Sequence, residues 1–265
     1  MQEFAINLLK TVGIQIFSLF GIFFVLGFIL TKIQKWTNEK YARSIGWKGI
    51  LFTAWFGTPI HEIGHVIFAK IFRHHITHIS LFEPNPNTGG LGHVEHSFRS
   101  YSLYQRVGNF FIGAAPMIWG SLVLVGMLYV LVPNGKEIFS GMMQSEYNIR
   151  TIFFAFVEAM KNLFSPEHLH TTIFYAFLYL SFCVASHIAP SPQDLKNMWK
   201  GFVWMVVLLI LINAIPVFLG IDLTVHIEKI YSFILLIIAI FLYSVLISLI
   251  HFFLISLLSL VFRRR

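Results

Sequence analysis

Long apolar stretches alternate with short polar connections along most of the chain. A helix needs about 20 mostly apolar residues to cross the hydrocarbon core of a bilayer. Six runs come close to or exceed that length, which predicts six transmembrane helices, at about residues 12–31, 50–72, 108–132, 171–189, 201–220 and 230–262. The last run contains no Gly or Pro turn that would divide it into a hairpin, so we count it as one helix.

Two connections have patterns of their own. Residues 76–98 alternate apolar and polar positions around a Pro/Asn/Gly turn, which predicts a β-hairpin. Residues 150–164 place Arg150, Glu158 and Lys161 in a Phe-rich segment, which predicts an amphipathic helix at the membrane interface. The expected fold is therefore an all-α polytopic membrane protein of about six transmembrane helices. A short β-hairpin follows the second helix, and the interfacial helix precedes the fourth.

Composition agrees with a membrane environment. The 265 residues are 57% hydrophobic and 12% charged, whereas soluble domains are about 25% charged. The formal net charge of +7 arises largely near the ends of apolar runs, where basic residues suit lipid headgroups. No basic stripe with interleaved aromatic residues indicates a nucleic-acid partner. The single cysteine, Cys183, excludes an internal disulfide.

The second run contains a motif that would be costly in lipid without a function. Residues 61–65 read His-Glu-Ile-Gly-His, the H-E-x-x-H pattern. On a helix, positions i and i+4 share one face, so His61 and His65 can bind one Zn²⁺ while Glu62 reaches water at the metal. Zinc lowers the pKa of bound water to about 7, and Glu62 can then act as general base and acid. A charged group at mid-bilayer costs at least about 2.5–3.5 kcal/mol, which favours a catalytic site over a His–Glu–His packing cluster.

A catalytic zinc site needs a third protein ligand. The candidates are Asp194, His187 and the histidines in and around the hairpin, namely His74, His75, His78, His93 and His96. Asp194 follows a break at Pro190 and Pro192, which can turn its side chain toward the bundle interior. The same segment also fits a helix start in which Ser191 is the cap and Asp194 lies in the first turn. The residues alone do not separate a ligand from a cap.

Several features together resemble the site-2-protease-like intramembrane zinc metallopeptidases. The apolar helix with HEIGH continues with Ala69 and Lys70, and a Gly-containing segment, LFEPNPNTGGLGHV, follows it. An apolar run with GAAP at 113–116 comes next, and a later run ends in a Pro-rich break with Asp194. In that family the aspartate commonly stands in an L-D-G context, whereas Gln precedes Asp194 here and Leu-Lys-Asn follows it.

The resemblance covers about residues 50–200 and implies both a fold and an activity. It implies a three-helix catalytic core and one Zn²⁺ per chain, with Asp194 as the third ligand. It also implies hydrolysis of peptide bonds in membrane-anchored proteins, as in regulated intramembrane proteolysis. We therefore expect one membrane-embedded peptidase domain over residues 1–265, in which further helices at 12–31, 201–220 and 230–262 surround the core.

A few other residues are candidates for supporting roles. His187 lies seven residues before Asp194, and it could hydrogen-bond a metal ligand or serve as an alternative third ligand. His93 on the hairpin and Asn213 in the fifth run are candidates for substrate contacts, since a hairpin edge can bind an unfolded peptide by strand addition. His251, inside the last run, is expected to make an interhelical hydrogen bond.

The expected function is that of a multi-pass zinc metalloendopeptidase whose partners are a membrane-protein substrate and the lipid bilayer. Two other classes stay open. A zinc-binding pseudoprotease could serve as a membrane scaffold or chaperone, although the intact Glu62 argues against it. A metal transporter would place polar residues along several runs, whereas here they concentrate in the second run and at one helix break.

Overall fold

The apolar runs form helices, and the segment of alternating polarity forms strands. The computed structural model describes residues 2–143, 149–221 and 231–261. In chain order the elements are α1 (Gln2–Ile16), α2 (Ile22–Arg43), α3 (Trp47–Ile71), β1 (His75–Ser80), β2 (His93–Ser97), α4 (Leu103–Leu131), α5 (Ser140–Met143), α6 (Ile149–Leu163), α7 (Pro166–Leu169), α8 (Thr172–Ala185), α9 (Pro192–Phe218) and α10 (Tyr231–Val261). Residues 230 and 262, at the ends of the sixth predicted run, lie outside the described residues.

Three helices within the described ranges are long and apolar enough to cross a membrane, namely Leu103–Leu131, Pro192–Phe218 and Ile237–Leu260. The chain therefore has the helices of a membrane protein. The other predicted spans are also helical, but α8 has only 14 residues, and α2 and α3 contribute polar residues to a cavity described below. The count of six crossings stays a prediction.

The first predicted span is part of a longer helix. α1 continues into α2 through a π-helical turn at Phe17–Gly21, so the helix runs from residue 2 to residue 43. On this helix, Gln15 is buried against Asn213 of α9, and their side-chain amides exchange hydrogen bonds of 3.0 and 2.8 Å. Because the two amides satisfy each other, both can be buried between apolar helices.

Close helix packing positions α3 at the centre of the fold. α3 packs on α4 and α8, and α4 also packs on α9. At Gly57 in α3, a Cβ atom would overlap the carbonyl oxygen of Cys183 in α8. At Gly201 in α9, a Cβ atom would overlap the main chain of Phe110 in α4. These two glycines therefore permit the close approach of α3 to α8 and of α9 to α4.

The predicted β-hairpin is confirmed. β1 and β2 pair antiparallel, with Ile76 opposite His96 and Ile79 opposite Val94, and the register shifts between Ile76 and His78. Side chains alternate along β2, where His93 is exposed and His96 is half-buried. The hairpin packs on α3, so β2 lies beside the helix that contains the H-E-x-x-H motif.

Two more predictions concern helices. The amphipathic segment is helical in α6, with Phe153 and Phe154 exposed and Ala159 and Leu163 buried. Its place at a membrane interface stays a prediction. The sixth run is one uninterrupted helix, α10, over its 31 described residues.

Candidate metal centre

His61 and His65 lie one turn apart on α3, with their Nε2 atoms 3.2 Å from each other. The other ring nitrogens contact main-chain carbonyls. Nδ1 of His61 is 2.7 Å from the oxygen of His187, and Nδ1 of His65 is 2.9 Å from the oxygen of Ile112. A carbonyl oxygen only accepts, so both Nδ1 atoms donate and the Nε2 atoms of the neutral rings present lone pairs. Two acceptors therefore face each other.

Asp194 brings a carboxylate to the same point from the first turn of α9. Its Oδ1 is 3.2 Å from Nε2 of His65, and its Oδ2 is 3.5 Å from Nε2 of His61. Oδ2 also accepts from the N–H of Ser191 at 2.8 Å, while the Ser191 hydroxyl accepts from the N–H of Asp194 at 3.2 Å. This is a capping box. The cap and the approach to the histidines are therefore compatible, and the cap fixes the carboxylate that faces them.

The three side chains form a donor set that fits a metal ion. Bonds of about 2.0–2.1 Å to a tetrahedral centre place the ligand atoms about 3.3–3.4 Å apart, and the observed separations are 3.2, 3.2 and 3.5 Å. A proton on one Nε2 atom would satisfy only one of these contacts, whereas a cation between the three groups would satisfy all of them. Two neutral imidazoles and a carboxylate are ligands that suit Zn²⁺.

Glu62 lies beside this donor set and is only 6% exposed. It lines a cavity of about 170 Å³ between α3, β2 and α9, which the three donor residues also line. It also lines a cavity of about 710 Å³ that extends to polar residues of α2 within 34–39. That volume lies in the range of about 300–1,000 Å³ typical of ligand sites. Glu62 therefore shares one cavity wall with the donor set and also borders space for a ligand.

The hairpin adds histidines to the cavity wall but not to the donor set. His93 and His96 of β2 line the smaller cavity. Nδ1 of His96 lies 3.0 Å from Nδ1 of His74, whose Nε2 lies 2.9 Å from the carbonyl oxygen of Gln105. Burial lowers the pKa of His74, and burial together with the neighbouring His74 lowers the pKa of His96 to about 4. Both rings are therefore neutral near pH 7.

His187 and Asn213 lie outside the donor set. His187 contacts His61 through its main-chain oxygen, while its ring donates from Nδ1 to the Cys183 carbonyl at 3.0 Å and lines the larger cavity. Asn213 lies about 28 Å from Asp194 along α9, at 1.5 Å per residue. The structure thus brings the backbone of His187 to the site and places Asn213 far from it.

Sequence reasoning missed four contributions to the site. The carbonyl oxygens of Ile112 and His187 are main-chain groups, so no side-chain pattern could reveal them. The polar face of α2 had a signal, because polar residues within 34–39 recur at helical spacing just beyond the first apolar run. Asn197 lines the smaller cavity one turn after Asp194, and the same helical spacing could have indicated it.

Comparisons with protein-family models, with curated proteins and with solved structures found no match. The resemblance to site-2-protease-like peptidases therefore rests on the sequence motifs, and the geometry of the described residues is the basis for a functional proposal.

Proposed function

We propose that the chain is an intramembrane zinc metalloendopeptidase that hydrolyses membrane-anchored proteins in or near the bilayer. The observation that supports this most is the donor set of His61, His65 and Asp194 with the buried carboxylate of Glu62 beside it. These groups belong to a bundle with three helices able to span a membrane. In this proposal the remaining apolar helices also cross the bilayer, which gives six spans.

The proposed roles follow from the contacts of each residue. His61, His65 and Asp194 would hold one Zn²⁺, and the two carbonyl contacts keep the Nε2 atoms of both histidines free of protons and directed toward it. A Zn²⁺ ion held there supplies Lewis acidity, which polarises a peptide carbonyl and activates water. Glu62 accepts the proton of the attacking water and delivers it to the nitrogen of the leaving amine.

The hairpin supplies a surface for the substrate. β1 and β2 form a two-stranded sheet within the described residues, and β2 lines the cavity next to Glu62. A transmembrane substrate must unwind before its peptide bond can reach a catalytic group, and an extended segment can pair with a free strand edge. His93 then lies on the wall of the cavity that the substrate would enter.

The decisive experiment compares wild type with Glu62→Gln on a panel of model transmembrane substrates, with the zinc content of each protein measured in parallel. Loss of a general base typically lowers the rate about 10²–10⁴-fold, so we expect at least about a 100-fold loss of cleavage with zinc retained. Glu167→Gln, at an exposed carboxylate of α7 that lines neither cavity, is the matched control and should cleave like wild type.

Two outcomes would contradict the proposal. Equal cleavage by wild type and Glu62→Gln would remove Glu62 from the reaction. Zinc-loaded wild type that cleaves no substrate of the panel would instead favour a zinc-binding scaffold or chaperone.

A further inference from the structure

A row of buried hydrogen bonds joins α10 to α8. The three contacts are Tyr243 to Ser181 at 3.2 Å, Ser248 to the carbonyl oxygen of Ala185 at 3.1 Å, and His251 to Ser186 at 2.6 Å. Two of them fall at the C-terminal end of α8, directly before His187. Because the carbonyl oxygen of His187 accepts from His61, α10 is connected to the metal centre through consecutive residues of one short connection.

The hydrogen bonds of His251 have a defined direction. The hydroxyl of Ser186 donates to the carbonyl oxygen of Phe182, and a hydroxyl has only one hydrogen. The oxygen of Ser186 therefore accepts from Nδ1 of His251. A neutral imidazole that donates from Nδ1 accepts at Nε2, and the hydroxyl of Tyr41 lies 2.7 Å from that atom. Tyr41, His251 and Ser186 thus form a chain of donors that ends on the backbone of α8.

The ring of His251 is also fixed by packing. It stacks on Phe182 with ring centroids 5.7 Å apart and an interplanar angle of 22°. His251 is 5% exposed and Tyr41 is 3% exposed. The stacking and the hydrogen bonds at both nitrogens hold the ring in one rotamer and one tautomer. The ring can therefore restrain the position of Ser186.

We propose that His251 is a positioning residue for the metal centre. Through Ser186 it fixes the main chain at the end of α8, and thereby the carbonyl oxygen of His187 that orients His61. A metal-bound histidine commonly donates its second N–H to a carbonyl that sets its tautomer and direction, and here that carbonyl belongs to a segment held from α10. The inference rests on the proposed metal site and does not depend on the peptidase activity.

The test measures zinc affinity of the full chain by competition with a chelator, together with the absorption spectrum of the Co²⁺-substituted protein. His251→Leu removes both hydrogen bonds, and we expect about a 10-fold loss of zinc affinity, the low end of the effect of outer-shell partners, with an altered Co²⁺ spectrum. His251→Asn keeps an amide near the Nδ1 position and should restore both readouts. His251→Gln keeps only a group near Nε2 and should resemble His251→Leu.

Two further variants keep the test specific. Ser186→Ala removes the acceptor without changing α10, and it should weaken zinc binding even if His251→Leu does not fold. Tyr243→Phe breaks a hydrogen bond between the same two helices, but away from His187, and should leave both the affinity and the Co²⁺ spectrum unchanged.

The proposal is overturned if His251→Leu and Ser186→Ala bind zinc as wild type does. It is also overturned if Tyr243→Phe weakens binding as much as they do, since the effect would then be general to the helix pair. If wild type itself binds no zinc, the metal site fails, and the inference fails with it.

Discussion

Within the described residues, two histidine pairs have ring nitrogens about 3 Å apart, and the two pairs differ in the partners of their other ring nitrogens. In the pair His61 and His65, both Nδ1 protons go to main-chain carbonyls, so two lone pairs and the carboxylate of Asp194 converge. In the pair His74 and His96, Nε2 of His74 donates to the carbonyl of Gln105, so its Nδ1 accepts from Nδ1 of His96. That pair shares a proton and is satisfied without an ion.

The partners of the second ring nitrogens are the basis for proposing a metal at the first pair and not at the second. Both pairs are at least partly buried and have nitrogens about 3 Å apart. The proximity of two imidazoles is therefore not evidence for a metal. At the first pair, Nε2 of His61, Nε2 of His65 and the carboxylate of Asp194 converge, and no hydrogen-bond donor from the described part of the chain lies between them.

The largest effect expected is on metal binding. Replacing His65 by Ala removes a direct donor, and zinc affinity should fall by more than about 100-fold, beyond the 10–100-fold effect of outer-shell partners. His74→Ala removes the corresponding ring of the other pair and should leave the zinc content unchanged. Metal analysis of both purified variants after dialysis measures the difference. If the two variants retain equal zinc, the distinction between the pairs is wrong.

A smaller effect should separate the two roles of Asp194. Asp194→Asn keeps an oxygen that can accept from Ser191 but removes the negative charge, so zinc affinity should fall by about 10-fold or more while the helix start stays intact. Ser191→Ala removes the cap and should cost about 0.5–2 kcal/mol of stability, with a weaker effect on zinc. Chelator competition and thermal unfolding of the metal-free proteins measure the two quantities. An equal loss of zinc in both variants would mean that the cap alone determines the site.

The smallest effect concerns the pH dependence of the hairpin. The pKa of His96 is about 4 in the folded hairpin, against an ordinary value of 6.5. Below pH 6.5 the unfolded hairpin binds a proton that the folded one excludes, so its stability is full above that pH and falls toward pH 4. Hydrogen exchange of the β1 and β2 amides should therefore show less protection at pH 5 than at pH 7, after correction for intrinsic rates. His96→Gln should lose most of this dependence, and an unchanged dependence in that variant would exclude His96 as its source.

Local periodicity was sufficient for much of this fold. The i, i+4 spacing of His61 and His65 and the alternation in residues 76–98 each depend on neighbours in sequence, and the structure reproduces both patterns. The first helix shows where local periodicity is insufficient. The apolar run ends near residue 31, but the helix continues to residue 43. A helix can extend beyond its apolar run, because its polar residues can face water or a cavity instead of lipid.

The remaining features of the site depend on contacts that are distant in sequence. Asp194 caps α9 together with Ser191 and also faces the two histidines. No local sequence pattern shows whether such an aspartate has one of these roles or both. The carbonyls of Ile112 and His187 belong to residues 47 and 126 positions away from the histidines they contact. Such contacts follow from how α3, α4 and α8 pack, so they become visible only in three dimensions.

The buried pair of Gln15 and Asn213 has a consequence for biosynthesis. The ribosome completes the first of these residues 198 positions before the second, so the amide of Gln15 lacks its partner during most of translation. An unpaired amide is disfavoured in hydrocarbon, so in the six-span arrangement proposed above the first helix would stay near water, a translocation channel or a temporary partner until α9 has been made. The order of synthesis thus makes the docking of the N-terminal helix a late event in assembly.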